Sequence, residues 1–258
     1  MRLTAFVMLC FFSTLTTLAR AEQPPLAPDA PLDTVLDALD ARGKNLQDFS
    51  ADVALHTTDQ RTGQDTAQIG TIVFQNKNGN GSRIRVDFEK KVVDDGTGPK
   101  ITQKQKLDYV LEGGWLTDRD YQKKLEVRRQ VLKPGQQMNL LKLGEGPFPL
   151  PIGQDKDEVK KQFTPEKIES SKDDPANTIH VRLTPKKGSQ FEKKFKQIDV
   201  FVDRKTAMPV RIDTVEAAGT TRSTELTNLK LNTGVKDEAF ALPNIDNQEW
   251  NRREEPFQ

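Results

Sequence analysis

The side chains able to do chemistry are few and scattered. Two histidines, His56 and His180, and one cysteine, Cys10, are all the chain offers for transition-metal or thiol chemistry. Each histidine falls on the polar phase of a separate strand-like run without further ligands at metal-site spacing, so both read as solvated histidines. The acidic pairs Asp94-Asp95 and Asp173-Asp174 are of the residue type that hydrolyses glycosidic bonds, but nothing in the sequence fixes their separation or keeps one of them protonated. Asp155-x-Asp157 with Glu166 copies the ends of a calcium loop. Val159 stands at one of its ligand positions and Lys160 where the sharp turn needs glycine, so that reading fails. Gly79-Asn80-Gly81-Ser82 begins like a phosphate-binding loop, but no helix follows and a plain hairpin turn accounts for it. Asn80-Gly81-Ser82 also fits a glycosylation acceptor, which matters only in a eukaryotic secretory host. No G-x-S-x-G, H-E-x-x-H, C-x-x-C or phosphate loop occurs, and no nucleophile is set beside a base. The sequence therefore reads as non-enzymatic, with no catalytic residue, metal ligand or cofactor assigned.

One charged stretch stands out. Residues 184–197 carry Lys186, Lys187, Lys193, Lys194 and Lys196 against Glu192, a local excess of four positive charges, with Phe191 and Phe195 interleaved. Such a stretch meets anionic lipid headgroups or an acidic partner. The reading the pattern favours is a solvated hairpin tip whose charge discourages aggregation, with Phe191 and Phe195 keeping the other open. The chain as a whole has 39 Lys+Arg against 38 Asp+Glu, so no global field draws it to nucleic acid.

The elements that hold these residues begin after an address. Met1-Arg2 is followed by an uncharged run over residues 3–18 and by Ala19-Arg20-Ala21, the small-x-small pattern of export-signal cleavage. The run is short and wrongly flanked for a membrane span, an uncleaved anchor being the alternative to cleavage, and Met8-Leu9 before Cys10 does not fit a lipoprotein signal. Loss of residues 1–21 removes Arg2 and Arg20, takes the net charge from +1 to −1 and leaves no cysteine. An exported domain without disulfides must hold itself by its core, which 258 residues permit, and a bacterial periplasm suits it. Residues 22–31, with four prolines, read as an extended linker.

Leu32, Val35, Leu36, Leu39 and Leu46 then recur at helical spacing, with Asp33 or Thr34 placed to cap the start and Gly43 blurring the end. From Phe49 the period changes to two. Phe49, Ala51, Val53 and Leu55 alternate with polar residues, and so do Ile84, Val86 and Phe88 with Arg83, Arg85, Asp87 and Glu89. About eleven strand-like runs follow one another across short turns, which implies an antiparallel meander with one apolar and one solvated face. A single sheet that long must curl or split into two packed sheets. Residues 133–163 interrupt it: Met138, Leu140, Leu141 and Leu143 cluster, residues 144–151 are too rich in Gly and Pro for regular helix, and residues 157–163 fit a short helix. Polytopic membrane protein and wholesale disorder are both excluded by this pattern. The reading is one domain over residues 32–243, followed by a polar tail over 244–258.

The order of these elements resembles the LolA-like family of periplasmic outer-membrane lipoprotein carriers. Leu36-x-x-Leu39 through Leu46-x-x-Phe49-Ser50-Ala51-Asp52 is similar to the family's opening helix and first strand, and Gly70-Thr71-Ile72-Val73-Phe74 to its second strand. Tyr109-Val110-Leu111-Glu112-Gly113-Gly114-Trp115-Leu116 is similar to its central hairpin, and Ile198-Asp199-Val200-Phe201-Val202-Asp203 with Thr206, Pro209 and Ile212-Asp213 to its late hairpin. Asp237-Glu238-Ala239-Phe240-x-Leu242-Pro243 resembles its closing segment. The chain departs from the family where its carriers often have an Arg-Pro pair that latches the lid: here Gln75-Asn76-Lys77-Asn78 stands after the second strand.

The resemblance implies a mainly β fold with few helices, an unclosed and strongly curved antiparallel barrel under a helical lid. It implies a monomeric carrier that holds acyl chains of lipoproteins or lipids between barrel and lid and passes them from a membrane-bound donor to an acceptor. The lipid-binding candidates are Leu36, Leu39, Val53, Leu55, Ile72, Phe74, Val86, Phe88, Trp115, Met138, Leu140, Leu141 and Phe148. The same side chains equally fill a closed core, and periodicity does not separate a hollow from a filled centre. An envelope sensor or protein-interaction module on the same fold is the alternative role.

Overall fold

The computed structural model describes residues 24–77, 81–133 and 155–257. The elements run α1 (Leu32–Asn45), β1 (Asp48–Asp59), β2 (Gln64–Asn76), β3 (Ser82–Asp94), β4 (Ile101–Glu112), β5 (Trp115–Asp120) and β6 (Leu125–Gln130). After them come α2 (Lys156–Gln162), β7 (Phe163–Ile168), β8 (Thr178–Pro185), β9 (Phe195–Asp203), β10 (Pro209–Glu216), β11 (Thr220–Leu231), a 3₁₀ turn (Asp237–Phe240) and β12 (Asn251–Glu255). The twelve strands form one open sheet in the order β12-β6-β5-β4-β3-β2-β1-β11-β10-β9-β8-β7. Two antiparallel meanders, β1–β6 and β7–β11, are joined by the long-range pairing of β1 with β11. Among the described residues the curved, mainly β architecture stands as the sequence implied it. No described helix is long and apolar enough to cross a membrane.

Helix α1 forms where the apolar spacing demands it. Val35, Leu36 and Leu39 lie on one stripe and are buried, and Arg42 and Lys44 in the last turn suit the negative end of the helix dipole. Neither Asp33 nor Thr34 caps the start. Pro31 holds the N-cap position without a side-chain bond, and Asp33 pairs instead with Lys160 of α2 at 2.7 Å. The helix continues through Gly43 to Asn45, where Leu46 turns the backbone extended. The Arg42 guanidinium ties the last turn to the Thr206 carbonyl at 2.5 Å. Burying the three stripe side chains stabilises the helix on the sheet by about 1.5–3 kcal/mol each.

The inner phases of β1–β4 and β8–β11 belong to one cluster with α1. Strands at both ends of so wide a sheet reach a common core only if the sheet bends around the helix. Bulges supply local bends. Glu89 is the extra residue where β2 and β3 lose register, and beyond it the polar ends of β2, β3 and β4 run on past the core. A second irregularity near Asn228, at φ 52°, explains why Leu226 and Leu229 are three rather than two residues apart.

The two edges are guarded. Pro165 sits within β7 and donates no ladder bond, while Lys167 reaches the Pro28 and Ala30 carbonyls of the proline-rich segment at 3.3 and 3.0 Å. The other edge is a strand the sequence did not announce. Residues 251–255, inside the stretch read as a polar tail, pair parallel with β6 and present Arg252, Arg253, Glu254 and Glu255.

Gly70 marks the closest approach of β2 to the bulge. A Cβ there would overlap the Asp87 carbonyl oxygen and lie 2.8 Å from the Phe88 Cα. Gly70→Ala is expected to destabilise the fold by roughly 2–4 kcal/mol, as backbone overlap in a central strand does. Gly98→Ala, with open space around its Cβ position, is expected to stay within about 0.5 kcal/mol. Urea unfolding midpoints of the two variants check this.

Candidate functional site

The concave face is an apolar wall. β1 sends in Phe49, Ala51 and Val53, β2 sends in Ile72 and Phe74, and β3 sends in Ile84, Val86 and Phe88, all at most 6% exposed. The register puts Phe49, Phe74, Ile84 and Leu111 in one row, and Ala51, Ile72, Val86 and Tyr109 in the next. Phe49 and Phe74 stack at 5.4 Å between centroids, and Phe88 meets Tyr109 edge-on at 6.1 Å. Burial first, then the Asp118 and Asp120 carboxylates on β5, push the Tyr109 hydroxyl up to about 12. Past β4 the wall turns mixed, because Asp118 on β5 and Arg129 on β6 occupy the same phase, 3.7 Å apart.

Of the candidates drawn from the sequence, Leu36, Leu39, Val53, Ile72, Phe74, Val86 and Phe88 come together in this cluster, and Leu55 packs against its margin. Trp115 does not face the wall. Its pairing with Glu112 and Gln130 places it on the opposite phase from Leu116, under the Arg128 guanidinium at 4.8 Å. Alternation gave its neighbour Leu116 the inward position. Met138, Leu140, Leu141 and Phe148 lie outside the described residues. A shallow groove of about 760 Å³ opens where β11 bulges from β1, but Ser50, Asp52, Thr71, Asn228 and Lys230 among its lining make it mixed rather than oily.

The outer face of β3–β6 corrects the sequence reading that the charged phase is solvated. Arg83, Asp108, Arg119 and Glu126 are each no more than 5% exposed. What covers them is the closing segment from Val235 to Glu255. Arg83 donates to Gln75 Oε1 at 2.6 Å and Glu112 Oε1 at 3.0 Å, pairs with Asp237, and lies 3.9 Å from the Phe240 ring centre. Arg85 donates to Asp87 Oδ1 at 2.7 Å and to the Ala241 carbonyl at 2.6 Å. Arg119 donates to Glu126 Oε2 at 3.0 Å and to the Pro243 carbonyl at 2.6 Å. Arg252 from β12 takes the other Glu126 oxygen at 2.9 Å, and Trp250 meets Tyr121 edge-on at 5.2 Å. Three arginines, Arg83 and Arg85 of β3 and Arg119 of β5, thus strap the segment to the sheet. The sequence signal was present in the strict Arg83, Arg85, Asp87 alternation and the closing Asp237–Phe240 motif, but not the link between them.

The titratable residues singled out earlier have structural roles. His180 is 7% exposed, not solvated, and stacks on Phe201 at 4.3 Å. Its ring lies between Asp199, 3.1 Å from Nε2, and Asp174, 3.7 Å from Nδ1. Burial pushes the Asp199 carboxyl up, but hydrogen bonds from Arg182, His180 and Gln197 together outweigh it and hold it below the usual range. Asp94 and Asp95 accept backbone N–H groups of Gly96 and Thr97 and so make a turn. His56 is exposed on β1. Among the described residues no three His, Cys, Asp or Glu converge as a metal site would need.

The Asp87 carboxyl is a group whose ionisation the fold opposes. Burial, with Asp108 adding to it against the pull of Arg85, raises it to about 6. A carboxyl raised above its unfolded value of 3.8 contributes stability that is present below that value and lost as pH climbs through about 6. Asp87→Asn keeps the acceptor for Arg85 and cannot ionise. Its stability relative to the parent is expected to improve by about 1–3 kcal/mol between pH 4 and pH 7.5, read from denaturant unfolding at both values.

No family model matches the chain, and no curated protein matches it. Among solved structures, it is similar to an uncharacterised conserved protein from Thermus thermophilus, at 11% identity and a TM-score of 0.47 over 86% of this chain and 98% of that one. It is similar to the MucA/MucB complex of Pseudomonas aeruginosa, at 10% identity and 0.45, covering 81% of this chain and 60% of the other. It is also similar to a LolA superfamily protein from Nitrosomonas europaea, at 14% identity and 0.32, over 81% and 97%.

Proposed function

We propose that the chain is an exported, non-enzymatic carrier that sequesters acyl chains of lipoproteins or lipids against the concave face and hands them on to the outer membrane. The observation that carries this reading is the continuous apolar wall of β1–β4, which among the described residues shares one buried cluster with Val35, Leu36 and Leu39 of α1. Export rests on residues 1–21, read as a cleaved signal, and the family resemblance of the sequence supports the periplasm as destination.

The energetics allow exchange. Three helix side chains contribute about 5–9 kcal/mol in all. A fully buried C16 chain contributes about 12 kcal/mol, at roughly 0.8 per CH₂. A chain that is two-thirds buried therefore matches the helix, and lid and cargo compete for one wall on nearly equal terms. Leu36 and Leu39 then act as lid, with Met138, Leu140, Leu141 and Phe148 as rim, while Val53, Leu55, Ile72, Phe74, Val86 and Phe88 form the floor. The mechanism has no covalent step.

A sensor or protein-interaction module is the second reading. The observation that favours it is the near-complete burial of the same wall, with Val86 and Phe74 at 0% exposure. Native mass spectrometry of the protein taken directly from its own envelope decides between the two. Lipid that stays bound supports the carrier; a stable protein partner without lipid supports the module. Leu141→Glu with Phe148→Glu is expected to weaken binding of a fluorescent fatty acid at least tenfold without lowering the melting temperature. Unchanged binding would remove these residues from the rim.

A further inference from the structure

We propose that the β8–β9 loop with the first residues of β9 is a preformed docking surface for an anionic phospholipid bilayer, carried by Lys187, Lys193 and Lys194 of the loop and Lys196 of the strand. The inference concerns a surface outside the acyl wall and stands whether or not that wall takes cargo.

The loop is folded rather than a loose tip. Phe191, expected from the sequence to interleave with the lysines at a surface, is 4% exposed and stacks on Phe163 at 4.8 Å. It pins the loop from beneath. Ser189 N–H donates to the Lys186 carbonyl at 3.0 Å, and the N–H groups of Lys194 and Phe195 both donate to the Phe191 carbonyl at 2.9 and 3.0 Å. Lys186 is engaged locally, because its ammonium donates to the Lys160 carbonyl at the end of α2. Glu192, the acid that opposes the patch, is engaged as well, since its carboxylate accepts the Gly188 N–H at 2.7 Å.

What remains outward is cationic. Lys187, Lys193, Lys194 and Lys196 are exposed, and among the described residues none forms an ion pair. This contrasts with α2 beside it, where Lys156 and Lys160 are held by Asp37 and Asp33 of α1 at 2.6 and 2.7 Å. The sheet's antiparallel order puts this loop at the same end as the β1–β2, β3–β4 and β10–β11 turns. The Ala217 N–H of the last turn donates to the Lys194 carbonyl at 3.0 Å, so exposed Ala217 and Ala218 flank the lysines with small apolar residues. A chain with a net charge near zero thus carries an ordered cluster of exposed lysines on this loop. Four ammonium groups on a loop already ordered, with no internal counter-ion, suit a dense field of phosphodiesters. A single acidic peptide would need matched carboxylate spacing, which a flexible-stemmed lysine set does not impose.

The test is sedimentation of the full chain without residues 1–21 with vesicles of phosphatidylcholine containing 30% phosphatidylglycerol, as against phosphatidylcholine alone, at about 50 mM and about 500 mM salt. The expected result is binding to the anionic vesicles only, lost at high salt. The variant Lys187→Gln, Lys193→Gln, Lys194→Gln is expected to bind at least tenfold more weakly, each lysine near such a surface being worth about fivefold. Lys172→Gln, Lys205→Gln, Lys230→Gln removes the same charge from exposed positions at the other end of the sheet and is expected to bind as the parent does. Equal loss in both triple variants, or no binding to anionic vesicles at low salt, overturns the proposal. So does retention only of an acidic protein partner by the parent loop. Fatty-acid binding measured on the same variants separates failure here from failure of the carrier reading.

Discussion

An open sheet of twelve strands has two faces and two edges, and every one of them must be answered for in water. On the concave side the answer is hydrophobic: Val35, Leu36 and Leu39 of α1 close over Phe49, Ile72, Phe74 and Val86. The shared core brings β8 and β9 together with β2 and β3, which so wide a sheet achieves only by bending.

The convex side has the opposite problem. Arg83 and Arg85 rise from β3, whose other face is apolar, and Arg119 from β5, and a buried guanidinium is tolerated only when its donors are met. The closing segment meets them with the Asp237 carboxylate and the Ala241 and Pro243 carbonyls, and its own backbone groups are satisfied in return. The arrangement is a reciprocal one: neither the strap nor the charged face is stable without the other. It also places β12 against β6, so the polar end of the chain shields an edge that would otherwise template aggregation.

Placed together, the two faces separate the tasks of the molecule. The inner wall is apolar; the outer strap fixes the scaffold; the end of the sheet gathers lysines on a loop whose Phe191 anchor is internal. The chemistry-bearing residues serve the scaffold: Asp94 and Asp95 make a turn, Asp174 and Asp199 flank a buried His180, and Asp87 sits protonation-prone in the arginine network.

Local rules sufficed for much of this. Period-two alternation located Phe49, Val53, Val86 and Phe88 on an inner face because a pleat leaves no other option, and helical spacing located Leu36 and Leu39. Trp115, also a candidate, stands on the opposite phase from the inward Leu116, and the charged phase of β3–β6 and His180, read as solvated, are buried. Whether a polar side chain meets water depends on what comes back to cover it, and the covering segment begins more than 150 residues after Arg83. Sequence alone determined the alternation, the helix, the meander and the charge of the lysine loop, because each is set by neighbours a few residues apart. Only the tertiary structure decided which charges are buried, that the closing residues form a strap and an edge strand, and that Phe191 points inward, because those outcomes depend on surfaces that exist only once distant segments have met.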